Sequence, residues 1–516
     1  MSQQSFNIAS AVHSAFRLYE ESQYHECMDI CIQILGIDCT RADIWSLAGI
    51  VMLKLEMYEK AVEYFTQASN FAPNDFSHRI NLAEAYRRGG NPQASIAELS
   101  LLLTQEKVME NNPTLHFNLA KAYSDIEDSQ NSIKHYTIAI KLDPNDLGAM
   151  FNLANAQVSL KHFGEAIELY LNALSKGYLD AGVNLANTYV QIGLFSEALE
   201  VYRGIYQYYK DDSDFLFNYA NALNYANALP QDTQTLYQQA IGLNPQKSEY
   251  CINYAHFLLK HLDLVNGFRI YEERKKLPNM LPQGITKLWE KGECLSDKNV
   301  LVLIQEPLLP LFKKFHMPCV CGIAQDLEYD VAISLLSLPY ALGVSHKQEL
   351  ESLSFCDTPR METHKIKTYG VKKIGICFST DSAFPESANK NIPLEVLMSA
   401  LRDAQRLGVE IYSINKAHCE NLDKFGIIQK PMNDFLQTYE IIKELDLVIS
   451  IDTAVAHLSG SMGKHTLVLL NKRYDWRWGN GISTPWYENV LCMTQSKMGQ
   501  WSDVTQNLKS YLGSYI

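Results

Sequence analysis

Small and aromatic residues recur with a period of about 34 residues through the first half of the chain. Polar residues separate the recurring positions into two groups, which predicts two amphipathic helices in every period. Small residues let paired helices approach, aromatic rings fill the space between them, and a closing proline ends the second helix. In residues 42–75 these positions are Trp45, Ala48, Gly49, Ala61, Phe65, Ala68 and Pro73.

This pattern resembles the tetratricopeptide repeat (TPR), whose helix pairs stack into a superhelix with a concave inner surface. The register continues through residues 119–144, 153–173 and 185–202, and a degraded form extends over 219–271. We therefore expect about eight repeats over residues 8–275. Cys27 and Cys31 take small core positions of the first repeat.

Asparagine recurs once per repeat in repeats three to eight, immediately before a Leu-Ala or Tyr-Ala pair. A residue that recurs at one helical position forms a row, and a carboxamide can both donate to and accept from the backbone of an extended peptide. The alternative is a solvated position that merely tolerates asparagine. The row comprises Asn81, Asn118, Asn152, Asn184, Asn218 and Asn253, and three asparagines one turn further along would widen it: Asn155, Asn187 and Asn221.

The row resembles the asparagine ladder of the O-GlcNAc transferase superhelix, which holds acceptor polypeptides by their backbone. This resemblance implies that the repeats bind a client polypeptide without reading its sequence. Repeats one and two lack the asparagine, and Leu47 occupies its place in the second repeat. We therefore expect peptide binding to centre on repeats three to eight.

After residue 275 the repeat pattern ends and short apolar runs alternate with helical patterns. Such alternation predicts a parallel, doubly wound sheet, whose ligands bind at the carboxyl ends of the strands. The expected fold class is therefore α + α/β. The predicted strands are 373–379, 409–415, 446–451 and 466–470, and the predicted helices are 434–444, 454–462 and one that begins at Pro393 and runs to about Leu407.

Candidate chemistry concentrates after the strand that ends at Ile451. Asp452 ends the strand, Thr453 opens the next helix, and His457 follows one turn later on the same face. Free N–H groups at a helix start, together with the helix dipole, favour a diphosphate. Taken alone, Asp452 could equally be a helix cap and His457 a histidine satisfied within its helix.

The run from Asp452 to Gly463 resembles the nucleotide-sugar loop of the heptosyltransferase-like glycosyltransferases (glycosyltransferase family 9), which have a GT-B fold of two Rossmann-like halves. It is most similar to the bacterial branch that fuses this domain to tetratricopeptide repeats. The resemblance implies that Lys390, otherwise read as a surface lysine, offsets the charge of the leaving nucleoside diphosphate. It implies that Thr453, Ala454 and His457 meet the donor diphosphate and that Asp452 shapes this turn. Ser379 and Thr380, which follow the first strand of this half, are candidates for further phosphate contacts.

The first Rossmann-like half, which binds the acceptor in this family, departs strongly from the family's pattern. Relatives carry a Glu-Gln-Gly-Leu-Gly-Asp turn whose aspartate is the catalytic base, whereas this chain has Gln305-Glu-Pro-Leu-Leu-Pro310. Proline fixes φ and removes an N–H donor, so this turn takes another shape. Glu306 and His316 are weak candidates for a replacement base. We expect a reduced first Rossmann-like half over 276–345, a linker over 346–370 and a nucleotide-sugar-binding half over 371–516.

The composition of the chain restricts the cellular compartments and the binding partners that we expect for it. The 516 residues carry a net charge of −13, which disfavours general binding to nucleic acid or anionic membranes. The first residues do not form a signal peptide, no apolar run is long enough to span a membrane, and the eleven cysteines lack a metal-type pair. We therefore expect a cytoplasmic protein with free thiols, no metal and no cofactor apart from its donor substrate.

Together these features predict a cytoplasmic enzyme that transfers a sugar from a nucleotide-sugar to a polypeptide hydroxyl, with the repeats binding the acceptor protein. The resemblance to bacterial repeat–transferase fusions suggests flagellin or another surface protein as the client. The alternative is a non-catalytic adaptor or chaperone with a degenerate transferase domain.

Overall fold

The computed structural model describes residues 7–276, 372–380, 389–415 and 421–514, and between the first two of these ranges it describes 300–303, 308, 310–311, 319–320, 331–334, 339, 342 and 344–345. The chain divides into two compact units, Met1–Thr188 and Tyr189–Ile516. The division falls inside the repeats, so the second unit contains both the last repeats and the sheets. The predicted linker, 346–370, lies outside the described residues.

Residues 8–271 form sixteen α-helices, which correspond to eight helix pairs. Within each unit consecutive helices pack against each other, as the third does against the fourth. A 3-10 helix, Glu272–Lys276, follows the last one. The α-helices are α1 Ile8–Glu20, α2 Tyr24–Ile37, α3 Ala42–Lys54, α4 Tyr58–Phe71, α5 Ser77–Arg88, α6 Pro92–Gln105, α7 Pro113–Asp125, α8 Ser129–Leu142, α9 Leu147–Ser159, α10 Phe163–Ser175, α11 Leu179–Gln191, α12 Phe195–Tyr209, α13 Ser213–Tyr225, α14 Pro230–Leu243, α15 Ser248–Lys260 and α16 Leu264–Tyr271.

The predicted small and aromatic positions form the contacts between paired helices. A Cβ atom at Gly49 would lie 2.8 Å from the Phe65 ring, so α3 and α4 approach as closely as a glycine allows. Ala61 and Ala68 are fully buried beside them. Later repeats place a buried tyrosine where Phe65 lies, and these residues are Tyr136, Tyr170, Tyr202 and Tyr237. The helix-pair prediction is confirmed.

Among the residues that the structure describes, three strands of the second unit form a parallel sheet. Its strands, in the order β2-β1-β3, are β1 Val300–Leu303, β2 Cys319–Val320 and β3 Val331–Ser334.

A six-stranded, fully parallel sheet follows, in the order β6-β5-β4-β7-β8-β9. The parallel sheet was predicted, but β6 and β9 were not, and Pro393 caps its helix instead of opening it. The strands are β4 Lys373–Cys377, β5 Glu410–Ser413, β6 Ile427–Gln429, β7 Leu447–Ile451, β8 Thr466–Leu470 and β9 Val490–Thr494. The helices are α17 Leu394–Arg406, α18 Phe435–Glu444, α19 Ala454–Ser461 and α20 Ser502–Gly513.

Helices cover both faces of this sheet. Ile374 and Ile449 pack with α17 and α20 on one face, while Val448 packs with α18 and α19 on the other. Alternate residues of each strand are thus buried on opposite faces, as in a doubly wound sheet. From β4 the chain proceeds outward through β5 and β6, then returns to place β7 on the other side of β4. The topological switch point is therefore between β4 and β7.

Candidate functional site

The carboxyl ends of β4 and β7 bring the predicted donor-binding residues together at the switch point. Ser379 and Thr380 follow β4, whereas Asp452 and Thr453 follow β7. In doubly wound sheets, this crevice is where ligands bind. Residues far apart in the sequence thus meet at the position where doubly wound sheets generally bind their ligands.

No side chain in the described part of the chain caps the backbone donors at the start of α19. Thr453 is the N-cap residue, with extended backbone angles, but its side chain makes no capping bond. Its hydroxyl is instead hydrogen-bonded to Ser450 Oγ at 3.0 Å. Orphan N–H groups at a helix start carry partial positive charge, so this terminus suits an anion.

Asp452 is held from two sides. Its Oδ2 accepts from Lys390 Nζ at 2.6 Å, and its Oδ1 accepts from the indole Nε1 of Trp478 at 2.7 Å. The side chain of Asp452 is 10% exposed, whereas that of Lys390 is 31% exposed. Asp452 therefore anchors Lys390 beside the start of α19, and the lysine retains access to solvent.

His457 lies one turn into α19 and is enclosed by aromatic rings. It stacks on Trp478 with ring centroids 4.6 Å apart, and its Nδ1 is 3.1 Å from the hydroxyl of Tyr487. Burial, assisted by the positive charge of Arg477, lowers the pKa of His457 to about 4. The imidazole is therefore neutral at physiological pH, so it offers a hydrogen bond and no charge to a ligand.

Asn415, which follows β5, organises the end of β4. Its buried side chain accepts from the backbone N–H of Phe378 at 2.9 Å and donates to Ser379 Oγ. The neighbouring backbone N–H of Thr380 donates to Asn391 Oδ1 at 2.9 Å. Sequence analysis missed Asn415, although a polar residue directly after a buried strand is the signal that marked Ser379.

The segment between β8 and β9 links the last repeats to this site. Trp476 stacks on His256 of α15 with centroids 5.8 Å apart, and Lys260 Nζ lies 5.8 Å from the ring centroid of Tyr474. Two residues beyond Trp476, Trp478 contacts both Asp452 and His457. Nothing in the repeat pattern marked His256 or Lys260 as contacts of the α/β region.

In the first unit the asparagine row has two kinds of member. The half-buried side chains of Asn81, Asn118 and Asn152 make no hydrogen bond within the described residues. Asn184, by contrast, donates from Nδ2 to Oδ1 of Asn155 at 2.7 Å. Asn155 also accepts from the Tyr170 hydroxyl on the second helix of its own repeat. Asn187, half-buried on α11, lies one turn beyond Asn184.

The second unit repeats this arrangement. Asn221 accepts from the hydroxyl of buried Tyr237 at 2.7 Å, as Asn155 does from Tyr170. Asn218 is half-buried and makes no hydrogen bond to a described residue. Asn253 donates to the carbonyl of Glu249 at 3.0 Å within α15. The predicted asparagines thus include amides with free bonding capacity and amides already bonded inside the repeats.

The two weak candidates for a catalytic base, Glu306 and His316, lie outside the described residues. Within the described ranges, no helix combines the length and apolar composition needed to cross a bilayer. The same ranges hold no group of three or more His, Cys, Asp or Glu side chains placed to bind a metal ion.

A sequence model of the tetratricopeptide repeat matches residues 117–180, which extend from α7 into α11. The N-terminal region therefore consists of tetratricopeptide repeats, as the spacing of small and aromatic residues predicted.

Known proteins resemble part of the chain. DnaJ homolog subfamily C member 7 of Mus musculus is 25% identical over 161 residues, which cover 29% of this chain and 33% of that protein. Protein O-mannosyl-transferase TMTC3 of Mus musculus is 23% identical over 164 residues, which cover 32% of this chain and 15% of that protein. The chain thus spans a third or less of the length of these curated relatives.

Solved structures resemble the helical region with low overall scores. MamA from Desulfovibrio magneticus RS-1 has 15% identity and a TM-score of 0.30, covering 33% of this chain and 95% of that one. The APC/C hetero-tetramer Cut9-Hcn1 has 15% identity and a TM-score of 0.39, covering 49% of each chain. YrrB, described as a TPR protein with an unusual peptide-binding site, has 15% identity and a TM-score of 0.27, covering 33% of this chain and 86% of that one.

Proposed function

We propose that this protein is a cytoplasmic, metal-independent glycosyltransferase of the GT-B type, similar to family 9, that transfers a sugar from a nucleotide-sugar to a hydroxyl of a polypeptide. The tetratricopeptide repeats bind the acceptor, and the α/β region binds the donor. One partial relative carries the name of a protein O-mannosyl-transferase, which agrees with this class.

The observation that carries the proposal is the uncapped start of α19 at the switch point, with Lys390 beside it. In this proposal the backbone N–H groups of Ala454 and the residue after it bind the diphosphate, and the lysine offsets the charge that develops on the leaving group. Moving Lys390 from Asp452 to a phosphate exchanges one anion for another, so its charge remains compensated in both states.

The asparagines support acceptor binding through the client's main chain. Asn118, Asn152 and Asn218 each have a half-buried amide that makes no hydrogen bond to a described residue, and an extended peptide offers both N–H and C=O groups to such amides. Binding the acceptor on the same chain as the donor raises the effective concentration of its hydroxyl.

The donor test uses a substitution that removes a single backbone N–H. Ala454 is exposed at the first position of α19, and three other helices of this chain begin with proline. The extended backbone of Thr453 also suits a following proline. Ala454→Pro should therefore preserve the helix while weakening nucleotide-sugar binding, whereas Ala454→Ser, which keeps the N–H, should bind as the wild type does.

Binding is measured by calorimetry on the full chain with UDP-glucose, UDP-N-acetylglucosamine, GDP-mannose and an ADP-linked heptose. If the wild type binds and hydrolyses none of these donors, the transferase proposal fails and the adaptor alternative takes its place. Equal binding by the Ala454→Pro and Ala454→Ser variants would contradict the assigned donor site.

The acceptor test compares asparagines on the two helices of the repeats. Replacement of Asn118, Asn152 and Asn218 together by alanine should weaken binding to a fluorescent pool of extended Ser/Thr-containing peptides without lowering stability. The control replaces Asn70 and Asn172, which are exposed on second helices, and should bind normally. Peptides with N-methylated backbones should bind more weakly than their parents. Unchanged affinity of the triple variant would exclude a ladder role.

A further inference from the structure

Asp475 is a carboxylate at the carboxyl edge of the six-stranded sheet that the donor site leaves unused. It precedes the 3-10 helix Trp476–Trp478 in the segment after β8. Its Oδ1 accepts from the backbone N–H of Arg477 at 3.0 Å and from the Arg477 guanidinium at 2.9 Å. Its Oδ2 makes no hydrogen bond with a described residue, and the side chain is 29% exposed. One oxygen is thus fixed while the other can accept a proton.

The segment that carries Asp475 contacts the donor loop. Asp475 is the N-cap residue of this short helix, and Trp478 is its last residue. Trp478 donates to Asp452 and stacks on His457. Asp475 is also close enough to His457 for its charge to act on the imidazole. Asp475 therefore lies in the segment that contacts the loop before α19, within range of His457 for a charge interaction.

The same segment contacts the repeats. Trp476, the neighbour of Asp475, stacks on His256 of α15, and the charge of Asp475 acts on that imidazole as well. Asn253, the last asparagine of the row, lies one turn before His256 on the same helix. Asp475 thus lies between the end of the asparagine row and the proposed donor site.

We propose that Asp475 is the general base of the transfer reaction; this inference rests on the proposed function. Oδ2 takes the proton of the acceptor hydroxyl while the hydroxyl oxygen forms a bond to the anomeric carbon. The bond from that carbon to the diphosphate breaks, and its electron pair leaves on the diphosphate oxygen beside Lys390 and the start of α19. In this role Asp475 takes the place of the family's catalytic aspartate, where this chain has Pro310.

The protonation state of Asp475 agrees with this role. The neighbouring Arg477 guanidinium and backbone N–H outweigh burial and hold the pKa of the Asp475 carboxyl below its usual range. Burial keeps the flanking histidines neutral, with pKa values lowered to about 4 for His256 and His457. The Asp475 carboxyl is therefore ionised, whereas the two flanking histidines are neutral.

The experiment measures release of nucleoside diphosphate, with water as acceptor, from whichever donor of the panel the wild-type chain binds. Asp475→Asn should retain donor affinity and lose at least about a hundredfold in kcat, as expected when a general base is removed. Formate or azide should partly restore turnover to Asp475→Ala. The matched control is Asp503→Asn, since Asp503 likewise accepts backbone N–H groups at a helix start, and its turnover should equal that of the wild type.

The Arg477→Gln variant distinguishes two roles of Asp475, that of a general base and that of a partner in a purely structural ion pair. Loss of the guanidinium raises the pKa of the Asp475 carboxyl, so the acidic limb of the kcat profile should move to higher pH while a plateau remains. A structural carboxylate would produce no such displacement and no rescue by formate. Full turnover by Asp475→Asn would overturn the inference alone, whereas a wild-type chain that binds no donor would overturn the proposed function with it.

Discussion

Gly460 lies in α19 against the ring of Tyr487, which makes it the most informative small residue of the candidate site. A Cβ atom at this position would lie 2.8 Å from Cγ, 3.0 Å from Cδ2 and 3.1 Å from Cδ1 of Tyr487. Contacts this short do not occur, and Cγ joins the ring to the backbone, so Gly460→Ala must displace the whole ring. The Tyr487 hydroxyl is hydrogen-bonded to His457, so the displacement also reaches the donor site.

Two opposing effects determine how Gly460→Ala changes the free energy of unfolding. Overpacking a well-filled interior costs about 1–3 kcal/mol, while alanine in place of a helical glycine returns up to about 1 kcal/mol. Gly460→Ala should therefore lower the free energy of unfolding by about 1–2 kcal/mol. Gly204 in α12 is the matched control, because nothing lies within 4 Å of a Cβ atom built there. Gly204→Ala should stabilise the protein by about 0.5–1 kcal/mol.

The two variants are compared by urea denaturation followed through tryptophan fluorescence. Trp476, Trp478 and Trp486, which include ring contacts of His457 and His256, report on this part of the protein. The Gly460→Ala midpoint should fall, the Gly204→Ala midpoint should rise, and only the first variant should bind nucleotide-sugar more weakly. A Gly460→Ala chain as stable as the wild type would refute the close approach of Tyr487.

Two further predictions concern buried polar pairs in the repeats. His116 and His135 bring their Nδ1 atoms within 2.9 Å, and burial lowers the pKa of His135 to about 4. The unfolded chain takes up a proton below about pH 6.5, so stability should fall by up to roughly 3 kcal/mol between pH 6.5 and 4, and His135→Gln should flatten this dependence in denaturation midpoints. Tyr170→Phe leaves Asn155 without its hydroxyl donor and should cost about 1–2 kcal/mol, whereas Tyr208→Phe, on an exposed ring, should change the unfolding midpoint little.

Local sequence patterns predicted the helix pairs and several strands because the interactions that produce these patterns are local. The spacing of residues such as Gly49 and Phe65 reflects how two adjacent helices pack, so it predicted the helix pairs before any coordinates. The apolar runs that became β4, β7 and β8 are buried on both faces, and such strands are apolar throughout their length. The short strand β6 lacked that signature, since two of its three residues are exposed.

The partners of the site residues came only from the tertiary structure. Lys390 and Asp452 lie 62 residues apart, Ser379 and Asn415 lie 36 apart, and no local period relates the members of either pair. Likewise, the repeat pattern predicted that Asn155 and Asn221 widen the asparagine row, whereas folding brings a tyrosine hydroxyl of the adjacent helix to each of them.

The sequence by itself thus determined which elements form and which residue types line one helix position, because periodicity records the burial of successive turns. The tertiary structure decided which side chains meet, how Lys390 and His457 are held, and where Asp475 lies. These outcomes depend on strand order and helix docking, which bring together residues that share no periodicity along the chain.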